Sequence, residues 1–558
     1  MSPQAIATLL LGYTVALVLA CLLVYERVVL DPTSEPTGIR IVSLWRNGER
    51  IRRALVSGAA QDTLARDCSS CTRVIEAVVD QAPLLGRNLF LLSISLVPGR
   101  DGIKIQVGDR TLYLSPLDLL HGQVNDGNKR IGKIPIEIGV DNIDQVIDVA
   151  ARELSIDRTT LVSQARFERF IVRREDDAAK IWPRRIKPND VTLNSLNVAI
   201  RAAARYLAST VRADGGFVYE INSRTGRAKR GYNWTRHAGA TYFLAEAAHL
   251  TGDKKTRDAA RRAAYHLRYK ATLDCGANSC IGEGRRAMLG SSALTLLAYV
   301  ELERHGLLDT SFINQIRSLA AFLRRMQRAD GEFMHIYNRG KNRAVDVQYQ
   351  FYTGEAAFAL ARAHRVTQNS EDLAAARAAL SYLVGKSRDF FGSRYAFGSE
   401  HWTCQALDEL WDRVPDRQAL RFCLDFNAFS RMGQFDMRSP IGPYDGGISA
   451  NPFFPPRLTV TSARTEAAAA TLTTAVLAGV DQSDIAILEN QIRRSLAFIL
   501  RYQFLPGPIY LLAHPALVFG GVIGSPADWT IRNDFPQHAG SAMIRFACYL
   551  NGALRTPQ

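Results

Sequence analysis

The chain has 558 residues, 47% hydrophobic and 22% charged, which is ordinary globular composition at a length that implies more than one domain. Its 69 Lys and Arg against 54 Asp and Glu leave a net charge of +15, a balance that suits an acidic partner such as an anionic glycan, a nucleic acid or a lipid headgroup. The arginines are dispersed over helix faces and no nucleic-acid motif occurs, which argues against nucleic acid.

Ile6 to Tyr25 is an uncharged run long enough to cross a bilayer once, so residues 1–30 are expected to form a transmembrane anchor. No Lys or Arg precedes the run as a cleaved signal would require, which favours an uncleaved anchor over a signal peptide. Val18-Leu19-Ala20-Cys21 leaves lipidation open as an alternative. Arg27 and Arg40 after the span favour a cytoplasmic body by charge alone. Cysteine usage points the other way: Cys275 and Cys280 are a disulfide candidate in a loop, which suits an oxidising compartment, and the body is expected in the periplasm, with the cytoplasmic face as the alternative. Only Cys68 and Cys71 have zinc-type spacing, and no His lies near, so no metal is expected. Cys404, Cys423 and Cys548 fall on helices and read as core residues.

Residues 31–184 read as an α+β domain. Gly38 to Trp45 is strand-like and ends at an Asn47-Gly48 turn; Leu89 to Val97, Gly102 to Val107 and Arg110 to Leu114 suggest a meander with a Gly108-Asp109 hairpin. A helix is expected over Asp144 to Leu154, and Arg173 to Asp177 with Trp182-Pro183-Arg184-Arg185 read as a linker. The stretches Asp101 to Ile105, Thr111 to Pro116 and Arg166 to Phe170 resemble the AMMECR-type α+β domain. The Arg-Gly-Cys motif of that family is absent, so this resemblance implies a fold only.

From residue 185 to residue 558 one unit recurs six times: an amphipathic helix, a loop bearing Gly and aromatic residues, and a second helix rich in Ala. Its period, roughly 50 to 65 residues, is too long for the usual solenoid units, and closure into an (α/α)6 toroid is the simpler account. Leu196 to Leu207 has one apolar and one Arg-bearing face, as an outer helix needs; Glu355 to Ala361 and Ala467 to Leu472 are apolar nearly all round, as inner helices must be. Inner helices are expected to begin near Tyr232, Met288, Phe351, Glu400, Ser462 and Phe535. The loops that lead into them are long and carry Asp214-Gly215, Asp330-Gly331 and Asp445-Gly446, whereas the return loops are short, so a working face is expected around the inner-helix N-termini.

That face gathers aromatic, carboxylate and Arg side chains, a mixture suited to sugar rings and uronate groups. Tyr232, His237, Tyr352, Glu355, Glu400 and Glu466 are the acid/base candidates, and Asn233, Trp234, Arg236, Tyr349, His401, Trp402, Asp445, Arg464 and His538 the substrate-binding ones, with Asp534 beside His538. Each has a structural alternative. A Glu in a first helical turn is favoured by the macrodipole, His237 and His538 can simply bond a loop, and an Asp before Gly is a turn residue.

From Leu193 to Leu554, the six-hairpin layout with Arg236-His237-Ala238-Gly239 and Tyr352-Thr353-Gly354-Glu355-Ala356 resembles carbohydrate-acting toroid enzymes, including glucuronyl epimerase C-terminal domains and related hydrolases and lyases. The resemblance implies proton transfer by Tyr232, His237 or Tyr352 and a carboxylate clamp at Arg236 or Arg464, with no cofactor. The function expected is that of a membrane-anchored envelope protein whose toroid binds and modifies a polysaccharide. The alternative is a non-catalytic glycan-binding or assembly scaffold. The Asp-rich motif of terpene cyclases and the Cys/His zinc set of lanthionine cyclases are missing.

Overall fold

The computed structural model describes residues 34–57, 68–84, 88–121, 130–131, 134–135, 143–175, 182–387, 389, 400–436, 444–449, 455–507 and 509–553. Among these no helix is long and apolar enough to cross a membrane; the expected anchor, Ile6–Tyr25, lies outside the described residues.

An antiparallel six-stranded sheet comes first: β1 Ile39–Arg46, β2 Glu49–Ser57, β3 Thr72–Pro83, β4 Asp101–Val107, β5 Arg110–Leu114 and β6 Arg166–Arg174, in the order β2-β1-β3-β6-β4-β5. Asn47 and Gly48 both take positive φ, the two-residue turn that matches strand twist, and Arg46 pairs with Glu49 across it. The helix Ile143–Leu154 buries Val146, Ile147 and Ala150 against this layer.

Two expectations change here. Leu89–Ser95 is a helix rather than a strand, because the Asn88 side-chain Oδ1 accepts from the Phe90 and Leu91 N–H groups and caps it. Arg173 and Arg174 belong to β6, and Trp182, expected in a linker, is 4% exposed and stacks on Phe504 with ring centroids 4.9 Å apart. The sheet is docked on the helical part: Gly48 N–H donates to the Tyr510 carbonyl (2.8 Å) and Tyr444 Oη to that of Pro98 (2.7 Å).

Among the described residues twelve long helices follow in six hairpins. The outer ones are α1 Leu193–Thr210, α3 Lys254–His266, α5 Phe312–Met326, α7 Ser370–Val384, α9 Arg417–Met432 and α11 Gln482–Arg501. The inner ones are α2 Trp234–Thr251, α4 Leu289–Arg304, α6 Tyr352–Thr367, α8 Glu400–Leu410, α10 Leu458–Leu477 and α12 Asp534–Leu550. Each inner helix packs on the next, and α12 packs on α2, so the ring closes. Gly540 makes that last contact possible, since a Cβ there would stand 2.1 Å from the Phe243 ring. Helix α10 starts one turn before the expected Ser462, which moves Glu466 out of the first turn to the ninth helical position.

The three Asp-Gly loops, and the Gly520-Gly521 loop of the sixth hairpin, prove to be the clasps of the outer ring. Gly215, Gly331, Gly446 and Gly520, with φ of 85°, 95°, 81° and 89°, each lie flat on the following outer helix; a Cβ would fall 2.2, 2.4, 2.0 and 2.0 Å from the carbonyl oxygens of Arg262, Ala378, Arg494 and Ala202. A glutamine locks three of them. The Gln327 side-chain amide donates to Gly331 and Ala375, that of Gln434 to Gly446 and Gln491, and that of Gln503 to Gly520 and Ala199. The last copy ties the sixth hairpin to the first helix. Gly520→Ala combines left-handed strain with overlap of backbone, and is expected to lower stability by about 3–5 kcal/mol in denaturant titration. Gly252→Ala, whose Cβ would meet open space at φ 66°, should lose only about 1 kcal/mol.

Cys275 and Cys280 form the expected disulfide, and Cys68 and Cys71 form another. Cys404 and Cys423 are not simple core residues: they are disulfide-bonded, joining α8 to α9, while Cys548 is a buried free thiol.

Candidate active site

A cavity of about 520 Å³ opens at the N-terminal ends of the inner helices, and all six contribute to its wall. Asn233, which caps α2 by accepting from the Arg236 N–H, lines it with Arg236; Phe351, Tyr352 and Glu355 come from α6, His401 and Trp402 from α8, Arg464 from α10 and His538 from α12. Glu466 lies beneath His538 and bonds its Nδ1 through Oε2 at 2.8 Å. Small residues make the room: a Cβ at Gly290 of α4 would stand 2.3 Å from both Glu355 Oε2 and the Tyr352 ring.

The environments separate the protonation states. Burial drives the Glu355 carboxyl up to about 8, against the smaller pull of His538 and Arg236, and its Oε2 has no hydrogen-bond partner. For His538 burial works downward, but hydrogen-bonded Glu466 above all, with Asp534 behind it, holds the imidazole above its ordinary value. Burial raises Glu466 as well, so one proton is held firmly by the pair. Asp534 shows the reverse balance: burial raises it, yet Arg532 at 2.6 and 2.9 Å, joined by Arg236 at 3.1 Å, keeps it well below the usual carboxylate range. Burial, with Glu355 adding to it, takes Tyr352 up to about 12.

Across the floor the His401 and His538 rings are 5.5 Å apart, and Trp402 stands 4.7 Å from His401 and 6.1 Å from His538. His401, Glu466 and His538 could together hold a divalent ion, since their ligand atoms lie within 4.8 Å of one another. The 2.8 Å contact between Glu466 and His538 is a hydrogen bond, however, and a metal would have to replace its proton.

Several candidates lie elsewhere. His237 is fully buried in the wall, with Nδ1 at 2.6 Å from Tyr232 Oη and Nε2 at 2.9 Å from the Ala263 carbonyl; burial takes it down to about 3, a neutral ring with both nitrogens engaged. Tyr232 also accepts from the Phe217 N–H, so the pair fixes a loop, and Trp234 packs edge-on against Tyr232 at 5.1 Å. Asp445 is buried between Arg494 and Arg501 in a loop clasp. Tyr349 stands on the rim, 38% exposed, and Glu400 opens α8 with its side chain outside the described residues.

Sequence reasoning missed Arg457, Arg532 and Gln537. Arg457 caps α10 directly after Pro455-Pro456, a start signal obscured by the β-branched Thr459-Val460-Thr461 that follows. Arg532 ends a short strand, Thr530–Arg532, and reaches the cavity through tertiary pairing alone.

No protein-family model matches the chain, and no curated protein matches it. Among solved structures it is similar to D-mannose isomerase, at 14% identity and TM-score 0.49 over 65% of this chain and 97% of that one. It is similar too to cellobiose 2-epimerase from Bacillus thermoamylovorans (11%, 0.49, 64% and 98%) and to an unsaturated glucuronyl hydrolase specific for heparin (14%, 0.44, 65% and 99%).

Proposed function

We propose that the toroid is an acid–base enzyme that moves a proton on an anionic saccharide, an epimerase or isomerase type of reaction. The observation that carries this reading is the pair of imidazoles 5.5 Å apart beside a buried, neutral Glu355 in one cavity. His401 takes a proton from a sugar carbon; His538, held protonated by Glu466, returns one; the Glu355 carboxyl donates to the oxygen on which charge develops. Arg236, Arg457, Arg464 and Arg532 face a single ionised lining carboxylate, Asp534, which leaves net positive charge for a uronate.

A hydrolytic reading pairs neutral Glu355 as acid with ionised Asp534 as base, the separation of states that glycoside cleavage needs. Asp534 is already held by two guanidinium groups, which makes it a poor base. Incubation with uronate and neutral saccharides in heavy water tests both. Deuterium incorporation without chain cleavage is the expected result, cleavage without exchange would establish the hydrolytic reading, and neither on any saccharide would leave a binding scaffold.

The body is proposed to lie outside the inner membrane, held by Ile6–Tyr25, because three disulfides persist where thiols are not kept reduced. Alkylation of protein denatured straight from cells should label only Cys548 and Cys21 by mass spectrometry. Free thiols at Cys404 and Cys423 would place the body on the cytoplasmic side.

A further inference from the structure

Beside the cavity, two of the long loops fold together into a five-stranded antiparallel rim sheet: β7 Thr272–Cys275, β8 Asn278–Glu283, β9 Arg286–Met288, β10 Ile336–Asn338 and β11 Arg343–Val345. The Cys275–Cys280 disulfide staples its first hairpin, and the Arg325 guanidinium donates to the Cys275 carbonyl (3.0 Å). Its strands β9 and β10 run into the starts of α4 and, through residues 343–351, of α6, so the sheet stands on the same mouth as the cavity.

The pairing register lines up one cross-strand row. Arg286 is opposite Asn338, and Asn338 is opposite Arg343, which sets the two arginines about 10 Å apart. The next row, Ala287 and Tyr337, is buried, so the charged row is the exposed one. Arg285 and Lys341 sit in the adjoining turns. All four cations are exposed, and none forms an ion pair among the described residues. Glu283, opposite Arg286, is the one carboxylate of the row, and the neighbouring Asp346 is already paired with Arg328.

From Arg343 the chain leads to the cavity past Val347, Tyr349 and Phe351, three half-exposed apolar side chains at every second position. Phe351 lines the cavity, and the Tyr349 ring is 5.1 Å from that of Tyr352. Phe351 is eight residue steps beyond Arg343, at most about 28 Å of extended chain. A saccharide longer than the cavity would therefore lie over this aromatic ledge and onto the cationic row.

We infer that the rim sheet is an extended binding surface for the continuing chain of an anionic polysaccharide, with Arg286 and Arg343 meeting successive acidic groups along it. This rests on the acid–base reading for what happens in the cavity, but the surface is tested by binding. The full chain would be titrated with polyuronate, with the corresponding uronate disaccharide and with dextran as the neutral control. The variant Arg285→Gln, Arg286→Gln, Lys341→Gln, Arg343→Gln, all solvent-facing changes, should bind polyuronate at least about tenfold more weakly and with a shallower salt dependence. Its exchange rate on the disaccharide should be unchanged, and thermal unfolding should match the parent. Equal affinity of variant and parent for polyuronate overturns the inference, as does a parent that binds dextran as well as polyuronate. His538→Gln separates the two readings: it should lose exchange while keeping polymer affinity. A parent with no exchange activity whose polymer affinity still depends on the four cations would remove the cavity reading and leave this surface standing.

Discussion

His538→Gln is expected to lose about a thousandfold in kcat while folding normally, the scale of a positioned acid/base group. The side chain stands 2.8 Å from Glu466 and is 14% exposed, and Tyr352, pushed up to about 12, is too weak an acid to replace its proton at neutral pH. Glu466→Gln should lose less, since it holds His538 protonated without touching substrate, and should move the alkaline limb of the pH profile, where His538 gives up its proton, to lower pH. Exhaustive chelation should leave the rate unchanged; loss of activity restored by a divalent cation would show that His401, Glu466 and His538 are ligands instead.

Glu355 shares that alkaline limb. Its carboxyl must be neutral to donate, so the rate should fall as pH rises through about 8, and Glu355→Gln, which keeps a donor, should remove its part of the fall and leave that of His538. The same group makes a stability prediction of definite sign. The folded chain keeps the proton up to about 8, whereas the unfolded chain loses it above 4.5, so the contribution is whole below 4.5 and is lost across that window. Glu355→Gln should remove this slope and stabilise the protein at pH 9 by on the order of 4 kcal/mol. A parallel pair of stability curves from pH 5 to pH 9 would show that Glu355 is ionised throughout.

Arg362→Met is expected to be the most destabilising single change, by about 4 kcal/mol or more in denaturant titration. At the far end of the inner ring Arg362 is 3% exposed and bonds Glu301 (3.0 Å) and Glu409 (2.9 Å), with Glu246 at 3.5 Å and the Phe358 ring 4.8 Å beneath it. For Glu409 and Glu301 burial acts upward, but Arg362 together with Arg365 at Glu409, and with His305 and Arg304 at Glu301, outweighs it and takes both down to about 2. Their contribution is present above the ordinary carboxylate value and lost as pH falls toward 2, so this plug should set the acid limit of the fold. Removing the cation strands buried carboxylates. The triple change Arg362→Met, Glu301→Gln, Glu409→Gln should recover most of the loss, and failure to recover would show that packing rather than charge sets the cost.

Helix starts were legible because they depend on nearby residues. Asn233 before Trp234, and Glu355 inside a first turn, are signals of capping and dipole that operate within a few positions. The start of α10 was misplaced where the local signal is poor, in a β-branched run, and Leu89–Ser95 where Asn88 capped a stretch that reads as a strand. Cys404 and Cys423, nineteen residues apart on different helices, carry no local mark of their bond.

His237 and His538 bring out the limit most clearly, for both begin a His-Ala-Gly tripeptide near the start of an inner helix. His237 is the fourth residue of α2 and His538 the fifth of α12, one step of about 100° round the helix. That step turns one ring into the wall and the other into the cavity. The residue pattern by itself determined the six hairpins, their order and the face on which their starts gather, since periodicity and capping are read over a few residues. Ring closure alone decided which of those starts point inward, and so set Glu466 under His538 and neutral Glu355 beside them. The reason is physical: direction round a helix is fixed by what the helix packs against, and burial, which sets these protonation states, exists only once all six helices have met.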